Sequence, residues 1–211
     1  MLFRRITKNN IGQSLIELVV AVSIILIGVV STLVLTVTTI RGGKASKMQA
    51  VAGNLAREGI EVVKQQRYNN WLKIESNNLS FVDWDQGLYN DLYENVLTVE
   101  FNSSTPAWNL NFNIQATTTQ ECIDDPNSKC LLYLKNGIYS HDSTGIATPF
   151  YRVVTINSIC KKASDGIEEF RTYWDCGTDE KVGVQVISNV FWKEKGSWNS
   201  VMLEDHLYNW K

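Results

Sequence analysis

A run of 23 residues without an ionisable side chain constrains this chain more than any other feature. Between Leu18 and Ile40 there is no Asp, Glu, Lys, Arg or His. At ~1.5 Å per residue a helix of this length measures about 35 Å, and the hydrocarbon core of a bilayer is ~30 Å thick. A helix in a soluble core would show a polar stripe at the helical period, and this run shows none. The run therefore predicts a membrane-spanning helix.

Charged residues around the run bear on its orientation. Three basic residues precede it: Arg4, Arg5 and Lys8. Positive charge ahead of a first span favours retention of that end in the cytoplasm. Three more follow it: Arg41, Lys44 and Lys47. The charge bias is therefore not clean, but long domains translocate largely regardless of charge. The run is also longer than the apolar stretch of a cleaved secretory signal, which spans ~7–15 residues. We expect a single-pass protein of the cytoplasmic membrane with an exported C-terminal region.

One acidic residue, Glu17, lies at the edge of the run, where an ionised carboxylate is unfavourable unless a cation meets it. The segment Gly12-Gln-Ser-Leu-Ile-Glu-Leu-Val-Val-Ala21 resembles the processing site of type IV prepilins and pseudopilins. The resemblance implies that prepilin peptidase removes residues 1–12 by cutting after Gly12. It also implies that Gln13 becomes a methylated N-terminus and that Glu17 assists assembly. The family usually has Phe where this chain has Gln13, and its major pilins often carry a Pro within the helix, which this chain lacks.

Cleavage after Gly12 would create a new cation near Glu17. In apolar surroundings the α-amino group of Gln13 and the Glu17 carboxylate each need a partner of opposite charge. A neighbouring subunit whose N-terminus meets Glu17 would satisfy both groups and set an axial stagger. The alternative is that Glu17 reaches the lipid headgroups and has no role in assembly.

After Gly42-Gly43 the pattern becomes amphipathic. Apolar or small residues recur every three or four positions, as in Ala52, Leu55, Gly59 and Val62, and charged residues are mostly off this stripe. The pattern predicts a helix to about Arg67, with Asn69-Asn70 as its stop. It is either continuous with the span or a separate soluble helix after a break at Gly42-Gly43.

The rest of the chain shows the two-residue alternation of strands. Alternation is clear at 96–101, 110–114, 151–156, 182–186 and 190–192. Asn136-Gly137 predicts a tight hairpin turn, and Lys195-Gly196-Ser197 a turn between the last two strands. The predicted fold is α+β, a long N-terminal helix packed on an antiparallel sheet. Its parts are a leader (1–12), a membrane or filament-core helix (13–41), an amphipathic continuation (42–68) and an exported head (69–211).

Four cysteines lie in the head: Cys122, Cys130, Cys160 and Cys176. Four cysteines allow three pairings, and the spacing favours the two local ones, Cys122 with Cys130 and Cys160 with Cys176. In an oxidising exterior each bridge would stabilise the fold by ~2–3 kcal/mol. A zinc site is the weaker interpretation, because there is no Cys-x2-Cys spacing.

Other polar residues give little support for catalysis or cofactor binding. Asp83, Asp85, Asp91 and Glu94 superficially suggest a calcium loop, but Leu88 stands where such a loop needs Gly. His141-Asp142 suggests a catalytic dyad without a recognisable nucleophile motif. All seven Trp lie between residues 71 and 210, and we expect most to be core or rim anchors rather than ligand contacts. We predict no enzyme activity, metal or cofactor.

The leading hypothesis is a minor pilin-like structural subunit that is assembled into a surface filament or primes its assembly. Its partners would be prepilin peptidase, other pilin subunits, the assembly machinery and the cytoplasmic membrane. A net charge of -2 provides no basic excess, so nucleic-acid binding is not predicted. The alternatives are a pseudopilin of a type II secretion or DNA-uptake system, and a membrane-tethered adhesin that does not polymerise.

Overall fold

The computed structural model describes residues 11–77, 83–89, 95–102, 107–112, 121–122, 129–172 and 175–209; of residues 11–14 it describes the backbone alone. The leader cations Arg4, Arg5 and Lys8 lie outside this part of the chain. The chain divides into two compact units, Met1–Met48 (the span unit) and Gln49–Lys211 (the sheet unit).

Helix α1 runs from Ile11 to Asn77. It continues through Gly42 and Gly43, so the sequence-based alternative of a break there is not what the structure shows. It also extends beyond Asn69-Asn70, the expected stop. The reason is that Asn70 is buried and donates its side-chain N–H groups to the carbonyls of Trp84 and Gln86, so the side chain does not cap the helix.

Eight strands follow in the described residues, and all their pairings are antiparallel. They are β1 (Val96–Asn102), β2 (Ala107–Asn111), β3 (Leu131–Lys135), β4 (Ile138–Ser140), β5 (Ile146–Lys161), β6 (Glu168–Arg171), β7 (Glu180–Glu194) and β8 (Ser197–Tyr208). The sequence pattern predicted two short strands at 182–186 and 190–192, and they form the single strand β7. The predicted strand at 110–114 is β2, which lies earlier in the chain; Asn113 and Ile114 are outside the described residues.

Strand β5 is the centre of the sheet. It pairs with β7 along residues 150–161, and its other edge pairs in turn with β3, β1 and β6. Strand β8 pairs with β7. The β3–β4 turn has Asn136 and Gly137 at φ values of 52° and 81°, and the β7–β8 turn has Lys195 and Gly196 at 51° and 87°. Two successive positive φ angles are the mark of a type I′ hairpin turn, so both predicted turns are confirmed.

The main core of the sheet unit lies between the second half of α1 and one face of the sheet. Helix residues Ile60, Val62 and Val63 pack with sheet residues that alternate along their strands. The sheet residues are Leu97, Val99, Val154, Ile156, Val184, Val186 and Leu207. The fold is therefore α+β, as predicted: a long N-terminal helix packed against an antiparallel sheet.

Candidate functional site

The helix of the span unit presents apolar side chains in every direction. Every residue from Leu15 to Lys47 is exposed, including large apolar ones such as Ile27 and Leu35, each 67% exposed. A helix that is apolar all round is stable where the surroundings are apolar, in a large core or a membrane. By length and composition, α1 is the one helix in the described residues that could cross a membrane.

The hydroxyl groups of this segment are satisfied within the helix. Each donates to a main-chain carbonyl three or four residues earlier, at 2.7–2.8 Å. They belong to Ser23, Ser31, Thr32, Thr36, Thr38 and Thr39. Polar groups in hydrocarbon need such internal partners because no water is present to bind them. The serines and threonines are therefore compatible with a lipid or filament-core environment.

Glu17 lies one helical turn after Gln13. Both residues belong to α1, and four residues correspond to a rise of ~6 Å along one face of the helix. Glu17 is exposed, and no described side chain forms a hydrogen bond or ion pair with its carboxylate. The bond between Gly12 and Gln13 lies in the first turn of α1. The structure thus places Glu17 and the expected cleavage site next to each other on an otherwise uncharged segment.

The four cysteines form the two local disulfides that their spacing favoured. Cys122 and Cys130, with Cα atoms 5.7 Å apart, pack in a second core cluster with Val96, Val153 and Phe191. Cys160 and Cys176, with Cα atoms 5.6 Å apart, join the end of β5 to the loop before β7. All four residues are buried. Both bridges belong to the interior of the sheet unit, and both close loops of fewer than 20 residues.

An ion pair that the sequence analysis missed connects helix and sheet within the sheet unit. Arg152 of β5 is fully buried, and its Nη1 atom lies 2.6 Å from the Glu58 carboxylate of α1. Its guanidinium also donates to the carbonyls of Leu55 (3.3 Å) and Val99 (3.0 Å). Burial lowers the pKa of Arg152, and the Glu58 carboxylate opposes that shift. The available signal was the alternation of β5, which places Arg152 on the same face as Val154 and Ile156.

Charged and aromatic groups at the end of α1 hold the 83–89 loop and the sheet together. The buried Arg67 donates to the carbonyl of Tyr208, and its guanidinium lies 4.7 Å from the ring centroid of Trp71. Asp85 pairs with Lys181 of β7 at 2.6 Å. Asp85, one of the suggested calcium ligands, is therefore used in an ion pair, and Asp91 and Glu94 lie outside the described residues. No cluster of three metal-ligating side chains occurs in the residues described.

His141 and Asp142 bind different partners rather than each other. The Nδ1 atom of His141 lies 3.1 Å from the Leu131 carbonyl oxygen, a contact that requires the proton on Nδ1. Burial of the ring, with the Arg152 charge as the next cause, lowers the pKa of His141 to about 3. The Asp142 carboxylate accepts from Lys135, the Thr144 hydroxyl and the Thr144 amide. These contacts give the two residues separate structural roles in the turn after β4.

The tryptophans are mainly anchors in and around the core. Trp71 and Trp192 are buried, and Trp84 and Trp108 pack at the rim of the main core. Trp198 is 37% exposed and contacts the rings of Tyr151 and Phe191. Trp174 and Trp210 lie outside the described residues.

Comparison with known proteins does not place the chain in a family. No protein-family model, no curated protein and no solved structure matches it. The observations on the page are an α+β fold, two disulfides, and one helix suited to crossing a membrane with a single acid at its N-terminal edge.

Proposed function

We propose that this chain is a type IV pilin-like structural subunit of the minor-pilin kind. It is inserted in the cytoplasmic membrane with its sheet unit exported, cut after Gly12 by prepilin peptidase and methylated at Gln13. It then enters or primes a surface filament. The observation that carries the proposal is the exposed, uncharged helical segment from Leu18 to Ile40 with Glu17 at its edge.

The chemistry of that segment supports assembly because it leaves one charge unpaired. An ionised carboxylate on an apolar surface gains stability from a cation nearby. Removal of residues 1–12 supplies an α-amino group at Gln13 and removes three basic side chains. The mature chain then has 17 Lys and Arg against 22 Asp and Glu, a net charge of -5 (20 − 3 − 22). A neighbouring subunit that presents its own N-terminus to Glu17 satisfies both charges.

Two further features are compatible with an exported subunit. Disulfides persist in oxidising compartments and are rare in the cytosol, and both disulfides belong to the sheet unit. The hydroxyls of the span bind within the helix, so the segment can leave lipid for a protein interior without losing hydrogen bonds.

The cleavage step is tested by co-expressing the full chain with a prepilin peptidase and sequencing the N-terminus of the product. We expect the product to begin at Gln13, and the Gly12→Leu variant to remain uncut. Gly28→Ala is the matched control, because a Cβ at Gly28 would meet nothing within 4 Å, and it should be cut normally. Any other N-terminus in the wild-type product would falsify the processing step.

The assembly step is tested with Glu17→Ala in cells that make filaments. We expect this variant to be cut and to remain in the membrane, with its incorporation into sheared filaments reduced at least ~10-fold. Ser23→Ala removes one hydroxyl from the same exposed segment and should assemble normally. Normal incorporation of Glu17→Ala would contradict the subunit proposal. Membrane retention of the wild-type chain with no filament incorporation would favour the tethered adhesin.

A further inference from the structure

Three exposed cations follow the uncharged span within the span unit. Arg41, Lys44 and Lys47 all lie on α1 and are exposed. We call them the basic collar. The chain has no Asp or Glu between Glu17 and Glu58. Along the helix, Glu58 is 11 residues and ~16 Å beyond Lys47, which exceeds the Debye length of ~8 Å at physiological salt. No described side chain forms an ion pair with any of the three cations.

The spacing of the collar places its cations on one sector of the helix. Residues three apart are rotated by ~300°, so Arg41, Lys44 and Lys47 span about 120° of the circumference. The residues between them are small: Gly42, Gly43, Ala45 and Ser46. A Cβ added at Gly42 or Gly43 would have nothing within 4 Å. An anionic group of a few ångströms can therefore approach the three cations together.

The depth of the collar matches the headgroup layer of a bilayer. If Ile40 marks the end of the hydrocarbon, Arg41 lies ~1.5 Å beyond it, Lys44 ~6 Å and Lys47 ~10 Å. The polar layer on each side of a bilayer is about 5–8 Å thick. Long Lys and Arg side chains extend their reach by several ångströms. All three charged ends can therefore lie at the level of the lipid phosphates.

We propose that the basic collar binds the anionic headgroups of phospholipids in the outer leaflet of the cytoplasmic membrane. The proposal rests on the membrane orientation in the proposed function, but not on cleavage or polymerisation. Phosphate oxygens are strong acceptors for Lys and bind the Arg fork in a bidentate manner. Each cation near an anionic surface strengthens binding about fivefold. The collar fixes the depth of the helix before assembly and holds Glu17 at the opposite edge of the hydrocarbon.

The collar also resolves the charge bias noted in the sequence. Basic residues close to a span oppose its translocation, and Arg41, Lys44 and Lys47 must cross the membrane with the exported region. Once across, they find anionic headgroups rather than an acidic side chain of their own helix.

The test uses the full chain with its leader, reconstituted in nanodiscs of phosphatidylcholine with ~30% phosphatidylglycerol. Glycine is labelled with ¹⁵N, so that Gly42 and Gly43 report on the collar and Gly28 on the middle of the span. Each disc carries a trace of headgroup spin-labelled phosphatidylglycerol or, in a parallel sample, of spin-labelled phosphatidylcholine. The paramagnetic broadening of each glycine amide is measured. Because this readout is local, lipids bound by Arg4, Arg5 and Lys8 at the other end of the span do not contribute.

We expect labelled phosphatidylglycerol to broaden Gly42 and Gly43 at least ~5-fold more than labelled phosphatidylcholine. The triple variant Arg41→Gln, Lys44→Gln and Lys47→Gln should make the two lipids equivalent. Arg57→Gln, which neutralises an exposed cation ~15 Å beyond Lys47 on the same helix, should leave the preference unchanged. The same helical content by circular dichroism shows that the variants fold.

Equal broadening by the two lipids in the wild-type chain overturns the proposal, as does a preference that survives the triple substitution. Broadening of Gly42 and Gly43 that vanishes because a second copy of the chain covers the collar also overturns it, and dilution to one chain per disc reveals this. The proposed function fails separately: a wrong N-terminus or normal assembly of Glu17→Ala contradicts the pilin-like subunit while the lipid preference persists.

Discussion

The two halves of α1 have the same backbone geometry and opposite relations to their surroundings. From Leu15 to Lys47 every side chain is exposed, and the large ones are nearly all apolar. From Ala52 to Trp71 one face is buried against the sheet, and the exposed face carries Arg57, Glu61 and other polar residues. The second half obtains its stability from packing against β-strands of the same chain. The first half has no such packing in the sheet unit, and its apolar surface requires an environment that the chain does not supply.

This difference shows how a helix can record two solvents in one sequence. Periodicity near 3.6 residues marks the half that faces both protein and water, and its loss marks the half that faces hydrocarbon on all sides. The following substitutions test whether the two halves are as independent as this comparison implies. Because all seven Trp lie between residues 71 and 210, tryptophan fluorescence reports on the unfolding of the sheet unit.

The largest effect is expected from placing a carboxylate in each half. Val63 is fully buried, so Val63→Asp should destabilise the sheet unit by more than ~4 kcal/mol and prevent its stable folding. Val30 is 58% exposed, so Val30→Asp should leave the unfolding midpoint unchanged and reduce membrane integration by ~3 kcal/mol. Urea unfolding in detergent and carbonate extraction of membranes measure the two effects. A shift of the midpoint by Val30→Asp would contradict the comparison.

The next effect concerns the ion pair that joins α1 to β5. Glu58→Gln leaves the buried Arg152 guanidinium without its carboxylate and should destabilise the sheet unit by ~2–3 kcal/mol. The value lies below that for a fully buried pair because the Glu58 side chain is 35% exposed and water can partly replace it. Arg152→Met removes the buried charge together with its unpaired Nε and should be less destabilising. The reverse order in urea titrations would show that the pair contributes little.

An acid-dependent loss of stability is expected in the sheet unit, with a contribution of about 2 kcal/mol from His141 at pH 5. The pKa of His141 is lowered to about 3 in the folded protein, whereas an unfolded His has a pKa of ~6.5. Between these values the unfolded state binds the proton and the folded state does not. The contribution is therefore present above pH ~6.5 and is lost progressively as the pH falls toward 3.

Urea unfolding of wild type and His141→Gln at pH 8 and pH 5 isolates this contribution. The variant should lose about 2 kcal/mol less than the wild type between the two pH values, even if it is less stable at both. Asp142, whose pKa the Lys135 ammonium lowers to about 2, adds to acid sensitivity at lower pH in both proteins. Parallel losses in the two proteins would exclude a titrating role for His141.

The smallest effect distinguishes two glycines of the second half of α1. A Cβ at Gly59 would lie 2.5 Å from the Ser188 Oγ and 3.1 Å from the Val154 Cγ2, so Gly59→Ala should destabilise by ~1–2 kcal/mol. At Gly53 a Cβ meets nothing within 4 Å, and Gly53→Ala should stabilise the helix by ~0.5–1 kcal/mol. Adding Ser188→Gly to Gly59→Ala should restore part of the loss. Equal effects of the two alanines on the urea midpoint would mean that the helix and sheet adjust at no cost.

Features set by neighbours in sequence could be predicted, and features set by distant partners could not. The span, the alternating strands, the two hairpin turns and the local disulfides follow from patterns within about 20 residues. Arg152 meets Glu58 across 94 positions, and Asn70 is bound by a loop that begins 13 residues later. In both cases a polar side chain is buried because its partner comes from another element. The residues around Gly12 and Glu17 were identified from their motif, and their role in assembly stays a prediction.

The internally bonded hydroxyls of the span have a consequence for how the helix can move. A segment whose donors all point to its own carbonyls offers its surroundings a nearly uniform hydrocarbon surface, with no azimuth favoured over another. Such a rod can turn about its long axis, or exchange lipid neighbours for protein ones, without breaking a polar contact. Its rotational setting is then left to the charged residues at its two ends, which act as the only fixed bearings along that part of the described chain.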